Sequence, residues 1–193
     1  MKIIGLTGSI ASGKSFVAQC FKKLNIRVFN ADEIVHEILG PDGMGVNSVS
    51  KIFPETKREN YIDREILGKI VFSDKEKLKL LESIIHPLVR NAEKQFLVKY
   101  KDDLAVVLEI PLLFEKGSVT KCDFILVTHA PDELRQKRAM ARSGMTNEKY
   151  QFINKLQISV DEKIKRADFV IYTDKTENEI MTQIINFKNK HLL

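Results

Sequence analysis

The sequence predicts an α/β protein in which a mainly parallel, five-stranded sheet lies between two layers of helices. Short runs of nearly continuous apolar residues recur along the chain, and stretches of helical periodicity separate them. Strands that are apolar on both faces are typical of a sheet covered by helices on both sides, and crossover helices make neighbouring strands parallel. The predicted strands are residues 3–6, 26–29, 104–110, 124–127 and 169–172.

The first predicted strand leads directly into a glycine-rich loop. Residues 8–15 read Gly-Ser-Ile-Ala-Ser-Gly-Lys-Ser and match the phosphate-binding pattern G-x-x-x-x-G-K-[ST] at every fixed position. Apolar residues recur at helical spacing from Phe16 to Leu24, so the strand, loop and helix that the pattern requires are all present. We therefore expect Lys14 to reach the β- and γ-phosphates of a nucleotide and the Ser15 hydroxyl to hold Mg²⁺. The alternative is a glycine-rich turn that matches by accident.

A carboxylate, that of Asp32, follows the second predicted strand in the segment Asn30-Ala31-Asp32. The carboxyl ends of parallel strands converge on the ligand crevice of such a sheet. Asp32 is therefore predicted to lie near the phosphates, where it would deprotonate an attacking hydroxyl or bind Mg²⁺ through water. Because a helical stretch follows at residues 34–39, Asp32 also fits the N-cap of that helix, and the two roles are compatible.

Between the second and third predicted strands, helical periodicity replaces the strand pattern. Residues 40–43 read Gly-Pro-Asp-Gly and mark a break, and apolar residues then recur on one helical face from Leu78 to Phe96. Pro87 interrupts this face and is predicted to kink or divide the helix. A helical insertion over about residues 41–101 is where a second substrate could be held, although plain helical packing accounts for most of its residues.

Two acidic residues lie at or just after the end of the third predicted strand. Glu109 resembles the acidic residue that supports the metal ion in nucleotide sites of this kind. Glu115, six positions further along, fits a solvated helix residue better than a functional one.

Two arginines stand four residues apart after the fourth predicted strand. Arg138 and Arg142 are expected on one face of a helix, and Gly144 and Asn147 are expected in a loop or at a cap. On a mobile segment near the γ-phosphate, these arginines would neutralise the charge that spreads during phosphoryl transfer. A solvated surface pair is the alternative.

Composition and charge are those of an ordinary globular protein. The chain has 193 residues, 44% of them hydrophobic and 30% charged, with a formal net charge of +5. Because the basic residues are spread along the chain, we expect phosphate-bearing substrates rather than nucleic acid. No apolar run approaches the roughly 20 residues of a membrane span, and no secretory signal is recognisable. Cys20 and Cys122 have no partner at zinc spacing, which favours buried thiols of a cytoplasmic protein.

Taken together, these segments resemble the dephospho-coenzyme A kinase family, and the resemblance spans nearly the whole chain. The order and spacing of the blocks distinguish this family from other small phosphate-loop kinases. The blocks that carry the resemblance are residues 5–15, 30–32, 85–88, 110–115, 136–142 and 167–171.

The resemblance implies ATP-dependent phosphorylation of the ribose 3′-hydroxyl of dephospho-coenzyme A, which is the last step of coenzyme A synthesis. It also implies a single domain over residues 1–193 with a P-loop nucleoside triphosphate hydrolase-like core. That core would comprise residues 1–40 and 102–193, with a helical acceptor-binding insertion over about 41–101 and a small lid over about 138–150. ATP and dephospho-coenzyme A would be the substrates, Mg²⁺ the metal, and a cytoplasmic monomer the functional form.

The same resemblance implies roles for individual residues. Asp32, Lys14 and Arg142 would be catalytic, with Asp32 as the base, and Ser15 would bind the metal. The acceptor or substrate side would include Asp32, Arg64, His86 and Glu109. The nucleotide side would comprise Gly8, Ala11, Ser12, Gly13, Lys14, Ser15, Phe16 and Arg138.

The chain departs from the family pattern at three places. Asn30 stands where the family usually has Asp, which weakens a metal role there but keeps Asp32. Thr173-Asp174 replaces a common Asn-Gly turn on the adenine side, and Ile153 stands where many members carry Arg. Three other interpretations of the function remain open. They are another small phosphate-loop kinase, a nucleotide-dependent binding module with a protein partner, and a nucleic-acid-binding ATPase.

Overall fold

A five-stranded sheet forms the centre of the computed structural model, which describes residues 1–72, 74–115 and 117–192. The strands lie in the order β2-β3-β1-β4-β5, and β1 pairs in parallel with both β3 and β4, as β4 does with β5. The prediction of a mainly parallel, five-stranded sheet is confirmed. The strands are β1 (Lys2–Gly8), β2 (Arg27–Asn30), β3 (Ala105–Glu109), β4 (Phe124–His129) and β5 (Phe169–Tyr172).

Helices fill most of the chain between the strands. Two short 3-10 helices, Pro54–Thr56 and Ser118–Lys121, accompany them. The α-helices within the described residues are α1 (Lys14–Lys23), α2 (Ala31–Leu39), α3 (Val46–Ile52), α4 (Arg64–Phe72), α5 (Lys75–Lys99), α6 (Asp132–Met140), α7 (Asn147–Lys155), α8 (Val160–Lys165) and α9 (Glu177–His191).

The register of the sheet sets polar side chains beside the end of β1. Leu6 lies opposite Glu109 of β3, and Gly8 lies opposite Thr128 of β4. Parallel strands bring their carboxyl ends to the same edge of the sheet. Glu109 and Thr128 therefore flank the point at which residues 8–15, the phosphate loop, leave β1.

A buried apolar cluster anchors this edge. Val17 and Phe21 of α1, fully buried, pack with Ile4 of β1 and with Ile184 and Phe187 of α9. Cys20 belongs to the same cluster, and burial raises the pKa of its thiol. The helix that follows the phosphate loop is thus held against the central strand by its whole apolar face.

The chain divides into two compact units. One consists of residues 1–29 together with the residues from Tyr100 onward, and it contains the sheet edge just described. The other is Asn30–Lys99, in which α2, α3, α4 and α5 surround a separate apolar core. Its fully buried members include Val49 and Ile62.

The long helix α5 runs through Pro87 without interruption. Pro87 was predicted to kink or divide this helix, and the division does not occur. Proline removes one backbone hydrogen bond, but α5 packs along α2, α3 and α4. Burial of Ile85 and of its apolar neighbours on the same face stabilises the helix on both sides of the proline.

Among the described residues, no helix combines the length and apolar character needed to cross a membrane.

Candidate active site

The phosphate loop is shaped by its glycines and by close contacts with β4. A Cβ atom on Gly8 would lie 2.5 Å from Ser12 Oγ and 2.7 Å from the Thr128 carbonyl oxygen, so only glycine fits. Gly13 adopts φ 88° and caps α1, a left-handed conformation that favours glycine. Ala11 also has a positive φ, of 58°, which is strained for a residue with a side chain.

The loop places the N-terminus of α1 where a phosphate can bind. The first intrahelical hydrogen bond runs from the Val17 N–H to the Gly13 carbonyl, 3.1 Å. N–H groups of a first helical turn, together with the helix dipole, form an anion site. Lys14 lies beside it, with Nζ donating to the Gly8 carbonyl at 3.2 Å. The Phe16 side chain packs against the apolar core.

Ser15 and Glu109 meet at the start of α1. The Ser15 hydroxyl donates to Glu109 Oε1 at 3.2 Å, and the Glu109 side chain is otherwise enclosed at the end of β3. These oxygen atoms are the kind of ligand that Mg²⁺ prefers. The structure thus brings together the predicted metal-binding serine and the predicted acidic residue.

Two threonines hold the middle of the loop. Thr128 Oγ1 donates to the Thr7 carbonyl at 3.3 Å and lies 2.6 Å from Ser12 Oγ. Thr173 Oγ1, just after β5, lies 2.8 Å from the Ser12 carbonyl, to which it donates. Neither threonine was singled out from the sequence as a partner of the loop, because the contacts arise only when β4 and β5 pair beside β1.

Arg138 is hydrogen-bonded to Thr173, one of these two threonines. Its Nη1 donates to Thr173 Oγ1 at 3.0 Å, and its Nη2 donates to the Thr173 carbonyl at 2.7 Å. Thr173 stands where the family pattern has an Asn-Gly turn. In this chain it therefore holds Arg138, a predicted nucleotide-binding arginine.

Arg142 does not share a helix face with Arg138, and this prediction was wrong. Helix α6 ends at Met140, and Arg142 lies in the following turn with an exposed side chain. Gly144, in the same connection, adopts φ 71°, as expected of a loop glycine. Asn147 is the first residue of α7, and the cap is the preceding Thr146, whose hydroxyl accepts from the Lys149 N–H.

The segment from α6 to α7 packs directly on the phosphate loop. Ile10 and Ala11 of the loop form a buried cluster with Ala139 of α6 and Tyr150 of α7, and Ile153 packs against it. The Tyr150 hydroxyl donates to Asp132 at 3.0 Å. Burial raises the pKa of Tyr150, and this hydrogen bond raises it further.

Glu115 is not the solvated helix residue that the sequence predicted. It lies in a turn after β3, 11% exposed, and its Oε1 is 3.1 Å from Nζ of the fully buried Lys163. Burial lowers the pKa of Lys163, although Glu115 opposes this shift. Nothing in the local sequence signals this ion pair, because the two residues are far apart in the chain.

In the other unit, α2 begins with a cap at Asn30. Asn30 Oδ1 accepts from the N–H groups of Asp32 at 2.9 Å and Glu33 at 3.1 Å. The sequence also suggested Asp32 as the N-cap of this helix. That interpretation was wrong, because the cap is Asn30, two residues earlier. The Asp32 carboxylate instead lies exposed in the first turn.

Two further residues predicted on the acceptor side, Arg64 and His86, lie on two helices of the same unit. Arg64 is the exposed first residue of α4, and His86, in the middle of α5, has Nε2 4.0 Å from Glu82. Asp63 precedes α4, and the hydrogen bond from the Ile66 N–H lowers its pKa, with Arg58 adding to the effect. Helices α4 and α2 both pack on α5.

The fold and this site define a class of protein. A phosphate loop leaves the central strand of a parallel sheet, its lysine and serine lie at the helix N-terminus, and an acidic residue ends the neighbouring strand. This combination is that of a P-loop protein that binds a nucleoside triphosphate.

The chain belongs to the dephospho-CoA kinase family. The family model described as dephospho-CoA kinase, CoaE, matches residues 2–179. A dephospho-CoA kinase of Bartonella quintana is 42% identical over 188 residues, which are 96% of each chain. One of Novosphingobium aromaticivorans is 41% identical over 182 residues, covering 94% of this chain and 90% of the relative. The predicted family and the predicted kinase class are confirmed.

Solved structures agree with this assignment. A dephospho-CoA kinase of Campylobacter jejuni is 33% identical, with a TM-score of 0.72, over 100% of this chain and 98% of that one. A Thermus thermophilus protein is 34% identical, with a TM-score of 0.88 over the same shares. A shikimate kinase of Aquifex aeolicus, 16% identical with a TM-score of 0.53 over 98% of each chain, shares the fold alone.

Proposed function

We propose that this chain transfers the γ-phosphoryl group of ATP to the ribose 3′-hydroxyl of dephospho-coenzyme A, the last step of coenzyme A synthesis. The observation that carries this conclusion is the family match over residues 2–179. The complete phosphate loop, with Lys14 and Ser15 at the start of α1, supplies the chemistry that such a transfer needs.

On the nucleotide side, we assign the phosphates of ATP to the loop and the first turn of α1. Lys14 would leave the Gly8 carbonyl for the β- and γ-phosphates and offset the charge that develops on the transferring group. Ser15 and Glu109 are the oxygen ligands that fit Mg²⁺, which would neutralise phosphate charge when bound. The remaining contacts would come from the backbone of Gly8, Ala11, Ser12, Gly13 and Phe16.

On the acceptor side, we assign Asp32 as the base. Its carboxylate would accept the proton of the 3′-hydroxyl as the new bond from that oxygen to phosphorus forms. The bond from phosphorus to the β–γ bridging oxygen breaks, and ADP leaves. Because Asn30 caps α2, the Asp32 carboxylate is not needed for the helix. Arg64 and His86, within the insertion of about residues 41–101, would bind the acceptor.

In the lid of about residues 138–150, the two arginines would have different roles. Arg142 is exposed in a turn and would neutralise the phosphoryl group during transfer. Arg138 is held by Thr173 and would contribute to the nucleotide site from that fixed position.

We also propose that the functional form is a cytoplasmic monomer with only small-molecule partners. The basic residues then serve two substrates that both carry phosphates.

An ATP-consumption screen against alcohol acceptors tests the proposal. Dephospho-coenzyme A should raise ADP formation well above the rate with water alone, and the product should carry a new 3′-phosphate. A much higher rate with thymidine monophosphate, adenosine monophosphate or shikimate would overturn the acceptor assignment.

A further inference from the structure

The Gln157 side chain, from outside the phosphate loop, binds the backbone in the first half of that loop. Gln157 follows α7, and its Oε1 accepts a hydrogen bond from the Ile10 N–H at 2.9 Å. Ile10 is 7% exposed, so this bond is largely shielded from water. A buried backbone N–H needs a partner, and here a glutamine oxygen provides it in place of the main chain.

The residue after Ile10 explains why the loop needs such support. Ala11 adopts φ 58°, which costs free energy for any residue with a side chain. Strained residues of this kind persist where the surroundings fix the backbone on both sides. Ser12 is fixed by Thr128 and Thr173, and Ile10 is fixed by Gln157.

The segment that presents Gln157 is itself held by a buried ion pair. The N–H of Ile158, the next residue, donates to Glu115 Oε1 at 2.9 Å. The same oxygen lies 3.1 Å from Lys163 Nζ. Charge-assisted hydrogen bonds in a shielded site are among the stronger ones. Contacts therefore run from Lys163 through Glu115 to the Ile158 N–H, and Gln157, the residue before Ile158, contacts Ile10.

We infer that Gln157 is a positioning residue for the phosphate loop, and that the Glu115–Lys163 ion pair sets its position. The inference rests on the proposed function only in taking the loop as the nucleotide-binding element. Gln157 acts on the loop backbone and not on a reacting atom. It keeps the loop in the one backbone arrangement that receives a β-phosphate, so that binding need not order the loop first.

The test compares ADP with AMP by titration calorimetry, using the full chain and no acceptor. The loop and Lys14 cradle the β- and γ-phosphates, so AMP lacks the group they bind. Gln157→Met keeps the size of the side chain but removes the acceptor oxygen. We expect the Kd for ADP to rise roughly five- to tenfold, about 1.0 to 1.4 kcal/mol, while the Kd for AMP stays within about twofold.

A matched control lies on the same segment. Gln151 is exposed on α7, so Gln151→Met should leave both dissociation constants unchanged. Gln157→Asn draws the amide back by about 1.5 Å and should reproduce the loss for ADP, which provides a second variant if Gln157→Met folds poorly. An unchanged Kd for ADP, or an equal loss for ADP and AMP, would overturn the inference.

A double-mutant cycle tests the role of Glu115. Glu115→Leu, which removes the carboxylate and the acceptor of the Ile158 N–H, should raise the Kd for ADP in the wild-type background but not in the Gln157→Met background, because Glu115 acts through Gln157. Equal losses in both backgrounds would show that Glu115 acts independently. Since none of these titrations contains dephospho-coenzyme A, their failure leaves the acceptor assignment untouched, and failure of the acceptor screen leaves them interpretable.

Discussion

Asn30 caps helix α2 by accepting a hydrogen bond from the Asp32 N–H at 2.9 Å, so that the Asp32 carboxylate takes no part in the cap. A second bond from the Glu33 N–H, 3.1 Å, completes the arrangement. The two polar residues of Asn30-Ala31-Asp32 therefore have separable roles, one in stability and one proposed in catalysis.

Asp32→Asn should remove the proposed base without harming the fold. Asn cannot take the proton of the acceptor hydroxyl, so turnover should fall roughly 10²- to 10⁴-fold. A loose transition state would put the loss toward the small end, because the hydroxyl then needs orientation more than deprotonation. Steady-state kinetics with both substrates saturating would measure the loss, and the melting temperature should change by only a few degrees.

The matched control is Glu33→Gln, which removes a carboxylate from the same exposed helical turn. It should keep most of the turnover. If Asp32→Asn reacts at nearly the wild-type rate, the base lies elsewhere, and Glu109 becomes the next candidate.

Asn30→Ala should destabilise the protein by about 1 kcal/mol, because two N–H groups of α2 lose their acceptor. Asn30→Asp keeps an acceptor at the cap and should stay within a few tenths of a kcal/mol of the natural sequence. Urea denaturation followed by circular dichroism measures both. Equal stability of the Ala variant would mean that water replaces the cap at no cost.

Lys14→Ala should nearly abolish transfer, with a loss of roughly 10²- to 10³-fold or more, since its charge offsets charge developing on the γ-phosphoryl group. Rapid-quench measurement of ADP formation provides the rate. Lys22→Ala, an exposed lysine on the same helix, is the control and should be active. A folded Lys14→Ala variant that keeps most of its turnover would refute the assignment of the phosphate loop.

Arg142→Ala should lower turnover more than it weakens ATP binding in the absence of acceptor. Thr173 holds the Arg138 side chain, whereas the Arg142 side chain is exposed. Charge develops on the transferring phosphoryl group only in the reacting complex, so Arg142 should act mainly there. Turnover and ATP affinity would be measured on the same preparation. Equal losses in both would make Arg142 an anchor for bound ATP instead.

Lys163→Met should destabilise the protein by about 3 to 5 kcal/mol, because it leaves the Glu115 carboxylate poorly solvated and without its cation. Adding Glu115→Gln should recover much of that loss, since no uncompensated charge remains and the amide oxygen can still accept from the Ile158 N–H. Chemical denaturation of both single variants and the double variant measures this. If the double variant is less stable than Lys163→Met alone, the ion pair is not the cause.

Much of the fold was predictable because its signals are local. Five apolar runs predicted β1 to β5 within a few residues, and the G-x-x-x-x-G-K-[ST] pattern predicted where α1 begins. The cap of α2 was predicted two residues late, because Asn and Asp cap helices about equally well and the sequence alone does not choose between Asn30 and Asp32. Helix α6 ends before Arg142, with Ala141 as its C-cap, and the periodicity of residues 136–142 does not reveal that end.

The sequence by itself determined the family, the sheet and the residues of the phosphate loop, since these depend on short patterns and on their order along the chain. Only the tertiary structure decided what holds those residues in place. Thr173 and Gln157 are single polar residues without a motif, and they meet the phosphate loop because the sheet register and the packing of α7 bring distant segments together. Glu115 became a buried partner of Lys163 for the same reason: burial and pairing depend on contacts between residues far apart in the chain.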